Sequence, residues 1–108
     1  MTQQRHDGGY EWRVPPELEG GNYANLVGVW HTPYDFTLDF AATLQPEQVG
    51  DRVMVPARVT SRVKVPVTVI FDLIRALNEN MTKYEQQYGA IVRPGEQRPL
   101  VPPDDLIS

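Results

Sequence analysis

His31, Asp35 and Asp39 are the one close grouping in this chain whose residue types suit a chemical site. An imidazole and two carboxylates supply three metal ligands, provided that they converge. Convergence is decided by strand register. The run Asp35-Phe36-Thr37-Leu38-Asp39-Phe40 alternates polar and apolar residues without a fault, which puts both aspartates on one face of a strand. With Pro33-Tyr34 as the two residues of the preceding turn, His31 lies opposite Phe36 and shares the apolar face. Thr32, Trp30 and Gly28 then lie opposite Asp35, Thr37 and Asp39. We favour this register because it also sets Val27 and Val29 beside Leu38 and Phe40, although a turn of different length would invert it. It parts the histidine from the aspartates. The expected arrangement is therefore a solvated acidic strand face, paired across the sheet with Arg58, Arg62 or Lys64, and no metal site.

Other chemistry is thinly provided for. The absence of cysteine removes disulfides, thiolate nucleophiles and cysteine-based zinc sites together. The hydroxyl residues have only His31 and His6 to call on as a base, and His6 sits in a polar, glycine-punctuated stretch, so nucleophilic catalysis lacks its components. No glycine-rich loop precedes the helical segment to cradle a phosphate. The chain thus reads as a non-enzyme without cofactor. Ten basic against fourteen acidic side chains give a net charge of -4, the wrong sign for a protein whose affinity depends on neutralising phosphates. Arg58, Arg62 and Lys64 form a local basic stripe, which makes nucleic-acid binding a secondary reading. Met1 to Arg13 hold no apolar run suited to a signal peptide, and no segment suits a membrane span, so the expected compartment is the cytoplasm.

Of the 108 residues, ten are proline and eight glycine, and these crowd towards the two ends. Residues 1–21, punctuated by Gly8-Gly9, Pro15-Pro16 and Gly20-Gly21, read as a flexible arm, with Tyr10 and Trp12 alternating as a short strand or peptide-like anchor for another surface. Asn22 to His31 mixes β-branched and aromatic residues and predicts a first strand. Thr43 to Arg52 carries Pro46 and Gly50 without periodicity and predicts a loop. Val53 to Val65 alternates throughout and predicts one long strand, at a sheet edge or bulged where Pro56 cannot donate to a ladder.

Pro66 suits the first helical position. From there Val67, Ile70, Phe71, Ile74, Leu77, Met81, Tyr84 and Tyr88 recur in steps of three and four up to Gly89, the expected stop. This predicts a helix of about 22 residues, roughly 33 Å long. Residues 92–108 read as a proline-rich tail in which Pro99-Leu100-Val101-Pro102 has the spacing of a PxxP ligand. The fold expected is α+β: a three-stranded antiparallel meander followed by one long helix over residues 22–91, flanked by two arms.

The stretch from Gly21 to Ile91 resembles the bacterial and archaeal family called domain of unknown function 3467. The likeness rests on Asn22-Tyr23-Ala24-Asn25, on His31-Thr32-Pro33 with Asp35-Phe36 and Leu38-Asp39-Phe40, and on Ala76-Leu77-Asn78-Glu79-Asn80 with Tyr84-Glu85 and Tyr88-Gly89. The family usually shows a small hydroxyl residue and proline before its helix. Here Val65-Pro66 leads into Val67-Thr68-Val69 and no N-cap oxygen is supplied. The resemblance implies a short stand-alone protein of this architecture and no catalytic residues. At the level of fold alone, a meander followed by a long helix is similar to the SecB-like export chaperones, which hold unfolded chains in apolar grooves.

The surplus in this sequence is hydrophobic. Val67, Val69, Ile70, Phe71, Leu73, Ile74 and Leu77 span roughly 200° of the first half of the helix, wider than one sheet face needs. In the favoured register Leu26 and Trp30 also face away from the core. Leu26, Trp30, Val69, Leu73, Tyr10 and Trp12 are therefore the expected interface residues, and the expected partners are a second copy of the chain, as a homodimer or larger homo-oligomer, and another protein. No membrane partner is expected.

Overall fold

Thr32 closes the turn on which the sheet is built. Its Oγ1 accepts the backbone N–H of Tyr34 (3.1 Å) and of Asp35 (3.2 Å) and donates to the Asp35 carboxylate (2.9 Å), while its own N–H bonds the Asp35 carbonyl at 2.9 Å. Pro33 and Tyr34 are left as the two-residue loop. In the computed structural model, which describes residues 3–93, this turn joins Leu26–His31 to Asp35–Thr43 as an antiparallel pair.

The chain divides into two units after Val67. The first holds five further strands. The strands are β1 (Gln3–Asp7), β2 (Tyr10–Val14), β3 (Leu26–His31), β4 (Asp35–Thr43), β5 (Glu47–Val49), β6 (Arg52–Met54) and β7 (Ala57–Pro66). They form a three-stranded antiparallel sheet in the order β3-β4-β7 and two separate hairpins, β1-β2 and β5-β6. The β3-β4 pairing sets His31 opposite Phe36, Val29 opposite Leu38, Val27 opposite Phe40 and Gly28 opposite Asp39, which is the register favoured from the sequence.

Within residues 3–65 three sequence expectations need correction. Residues 3–14, expected to be part of a flexible arm, pair as a hairpin whose turn is made by Gly8 and Gly9, both at positive φ. The expected loop between Thr43 and Arg52 contains β5, and Gly50 at φ +61° turns it back into β6. The expected single strand over Val53 to Val65 is two strands: Pro56 follows β6, and β7 begins at Ala57. Proline, having no N–H to offer a ladder, separates a hairpin strand from a sheet strand at this point.

β7 is also bulged. Phe40 pairs with Ser61 but Ala41 pairs with Val59, so Thr60 is an extra residue. Its Oγ1 lies 3.1 Å from the carbonyls of both Phe40 and Tyr23, a single hydroxyl proton shared between the sheet and the segment leading into β3. The same segment is tied down by the Asn22 amide, which donates to Ser61 Oγ (2.7 Å). Asn25 donates to Thr43 Oγ1 and accepts the Thr43 N–H, both at 3.1 Å.

Val67–Val69, at the junction, is a 3-10 turn, and in the second unit the helix α1 is Ile70–Tyr88. Pro66 does not open this helix as expected; it ends β7, opposite Asp35. With Val69 as N-cap and no side-chain cap, the first turn winds more tightly instead of ending on a capping oxygen. At the other end Gly89, at φ +98°, donates its N–H to the Glu85 carbonyl (2.9 Å) and stops the helix where expected. Among the described residues no helix is long and apolar enough to cross a membrane. The PxxP segment at Pro99 lies outside the described residues.

Replacing Thr32 by valine removes the hydroxyl that holds two backbone amides, and should lower stability by about 1 kcal/mol in denaturant unfolding. Thr32→Ser should stay within about 0.5 kcal/mol of the parent, because the oxygen is retained.

Candidate functional site

The best-buried patch of the sheet is polar. Asp39, Thr37 and Ala41 on β4 are 7%, 9% and 6% exposed. Their short side chains lie in the middle strand, and long side chains from both flanking strands reach over them. Arg62 on β7 grips the Asp39 carboxylate with Nε (2.6 Å to Oδ1) and Nη2 (2.8 Å to Oδ2). Trp30 on β3 donates its indole N–H to Oδ2 at 3.0 Å. Lys64 donates to Thr37 Oγ1 at 3.1 Å. Gly28 stands directly opposite Asp39, and a Cβ there would be in ordinary van der Waals contact with the Trp30 indole, 3.7 Å from Cζ2.

The acidic face is therefore not the solvated surface that its composition predicts. Asp39 and Thr37 are buried on it because the stems of Arg62 and Lys64 and the Trp30 ring, themselves exposed, supply the cover. Arg62 first, and then Trp30, hold the Asp39 carboxyl down at about 2, against the opposing effect of burial. Such a carboxylate keeps its charge far below neutrality and has no proton to give or take there. The chemistry available to this patch is structural: it locks β3, β4 and β7 together.

His31 lies on the opposite face, its ring 5.5 Å from that of Phe36. The structure thus separates it from Asp35 and Asp39, as the register implies. No group of three or more His, Asp or Glu able to hold a metal ion occurs among the described residues. The basic stripe is also broken. The bulge at Thr60 puts Arg58 opposite Ala42, on the face of Phe40 and Val63, whereas Arg62 and Lys64 share the face of Asp39. Simple alternation through Thr60 misses this, since one extra residue reverses every side chain beyond it.

The remaining features are apolar and exposed. Val27, Val29 and Val63 lie exposed beside half-buried Phe36, Leu38 and Phe40. Of the expected interface residues, Leu26, Tyr10, Trp12 and Val69 are exposed, Trp30 is 62% exposed despite its bond to Asp39, and Leu73 is half-buried. In α1 the most exposed apolar residue is Phe71, at 81%. Val69 belongs to the 3-10 turn, so an arc reckoned at 100° per residue does not carry back to it. Ile70, Ile74, Leu77, Met81, Tyr84 and Tyr88 form a stripe in alternating steps of four and three, closed by a tilted Tyr84–Tyr88 ring pair at 4.9 Å.

The family model described as protein of unknown function, DUF3467, matches residues 2–93. The chain belongs to that family. No curated protein and no solved structure matches it. The matched stretch takes in the β1-β2 hairpin as well as the sheet and the helix. Several residues on which the likeness rests now have a physical role. Asn22 and Asn25 tie the entry segment to the sheet, Thr32 closes its turn, and Asp39 bridges its three strands.

Because the folded pKa of Asp39 is lowered from an ordinary 3.8 to about 2, the stabilisation it brings is fully present above 3.8 and is lost as the pH falls from there through about 2. A carboxyl titration followed by NMR should place the Asp39 midpoint near that value. Arg62→Gln should raise the midpoint towards the ordinary range, since the largest cause of the shift is removed.

Proposed function

We propose that this chain is a non-enzymatic assembly module of the cytoplasm that binds other protein surface and first of all associates with itself, through the apolar surfaces of its helix and sheet. The observation that carries this reading is the burial pattern. Among the described residues Ala41 is the one buried apolar residue, while side chains as large as Phe71 and Leu77 (63%) are exposed. Burying a leucine or phenylalanine side chain contributes roughly 1.5–3 kcal/mol, so a surface of this kind gains most of its available stabilisation only against a second apolar surface.

The stripe from Ile70 to Tyr88 supports the same reading, because alternating steps of four and three are the spacing with which one helix seats against another. Leu26 and Trp30 on the sheet, Val69, Leu73 and Phe71 at the start of the helical unit, and Tyr10 and Trp12 on the β1-β2 hairpin are the proposed contacts. The Asp39 network suits this role as a rigid support beneath the exposed Trp30.

Sedimentation velocity across the micromolar range should give a species of at least two chains. Leu77→Asp should weaken that association by roughly a hundredfold, about 3 kcal/mol over two symmetric sites, with helix content by circular dichroism retained. A wild-type chain that stays monomeric throughout the range refutes the reading.

A further inference from the structure

The two edges of the three-stranded sheet are built differently. The bond from the Thr32 N–H to the Asp35 carbonyl makes this a hydrogen-bonded pair, so Trp30, Gly28 and Leu26 also turn their backbone groups towards β4. Val27, Val29 and His31 turn theirs outwards. On the far side, the bond from the Val67 N–H to the Tyr34 carbonyl sets Val65, Val63 and Ser61 inwards and leaves Arg62, Lys64 and Pro66 on the outer rim.

The β7 rim thus carries two cations and a proline without an N–H, with Pro56 just before the strand and a bulge at Thr60. These are the features that block pairing at a sheet edge. β3 has none of them. Leu26-Val27-Gly28-Val29-Trp30-His31 contains no proline, no lysine, arginine or carboxylate, and no irregularity in its pairing, and among the described residues β4 is its one strand partner.

We infer that the open edge of β3 pairs with β3 of a second copy, antiparallel about a two-fold axis, so that two three-stranded sheets join into one. The inference rests on the self-association proposed above and names the contact that starts it. The strand is complementary to itself. With the axis at Gly28, Val27 and Val29 exchange backbone bonds with Val29 and Val27 of the second copy. The close, non-hydrogen-bonded pair on the axis is then glycine against glycine, with no side chains to collide. Leu26 falls opposite Trp30 of the second copy, an aliphatic-aromatic cross-strand pair in which both members are exposed in the single chain. Any other strand could bond this edge, but β3 itself is present at equal concentration and meets it with matching small and large residues.

The test is amide hydrogen exchange on the full-length chain together with light scattering. In the dimer the amides of Val27 and Val29 should be protected, and dilution to the monomer should remove that protection while Gly28 and Trp30 keep theirs. Val29→Pro removes an N–H that the β3-β4 ladder does not use, and should abolish the dimer with the circular dichroism spectrum retained. Should that variant fail to fold, the exchange pattern of the wild type still decides. A dimer whose Val27 and Val29 amides exchange freely, or a folded Val29→Pro variant that remains dimeric, overturns edge pairing and leaves self-association standing. A monomeric wild type overturns both.

Discussion

One hydroxyl, that of Thr32, holds the amides of Tyr34 and Asp35 and so limits the β3-β4 turn to two residues. Side chains alternate along a strand with period two, and a slip of one residue would exchange the two faces completely. From this clamp follow the meeting of Val27 and Val29 with Phe40 and Leu38, the place of His31 beside Phe36, and the presentation of Gly28 and Trp30 to Asp39 and Thr37. The parting of histidine from aspartates is the same fact seen from the other side. A site that looks plausible along the chain is divided between two faces by the geometry of a turn.

The polar face acquires its character from strand length and side-chain length together. β4 is the middle strand and carries short residues there, so the flanking strands can fold Trp30 from one side and Arg62 and Lys64 from the other across it. The result is a buried carboxylate with three directed donors and a low pKa, and removing Arg62 would leave it without its main charge partner. It pins three strands that are paired along different lengths, and it keeps a tryptophan ring outward as a fixed surface. Thr60 has a comparable part at the far end of the sheet: by inserting one residue it turns Arg58 to the other face and supplies the hydroxyl that reaches Tyr23 and Phe40.

Membership in a family without an assigned activity directs attention to surfaces. Among the described residues the one buried apolar residue is an alanine, and large side chains of the sheet and of the helix are exposed. The helix stripe and the unguarded β3 edge offer two distinct routes to the proposed association, the first through side chains and the second through backbone groups. The contrast between a guarded β7 and an open β3 would direct the proposed pairing to one side of the sheet, as a closed pair requires and an open-ended stack does not.

The amino-acid order was sufficient for whatever depends on local periodicity. The unbroken alternation of Asp35 to Phe40 marked β4, steps of three and four from Ile70 to Tyr88 marked α1, Gly89 marked its end, and the favoured register followed from matching Val27 and Val29 to apolar partners. Local pattern failed where a single residue changes phase or where two short strands need only each other. Thr60 reversed the faces of β7 without any signal in composition, and the β1-β2 and β5-β6 hairpins were hidden by strands too short or too polar to show a period. Burial of the Asp39 face was decided by the tertiary structure alone. Whether a charged side chain is solvated depends on what reaches it from strands tens of residues away, and the Arg62 fork and the Trp30 indole meet Asp39 only when β3, β4 and β7 lie side by side.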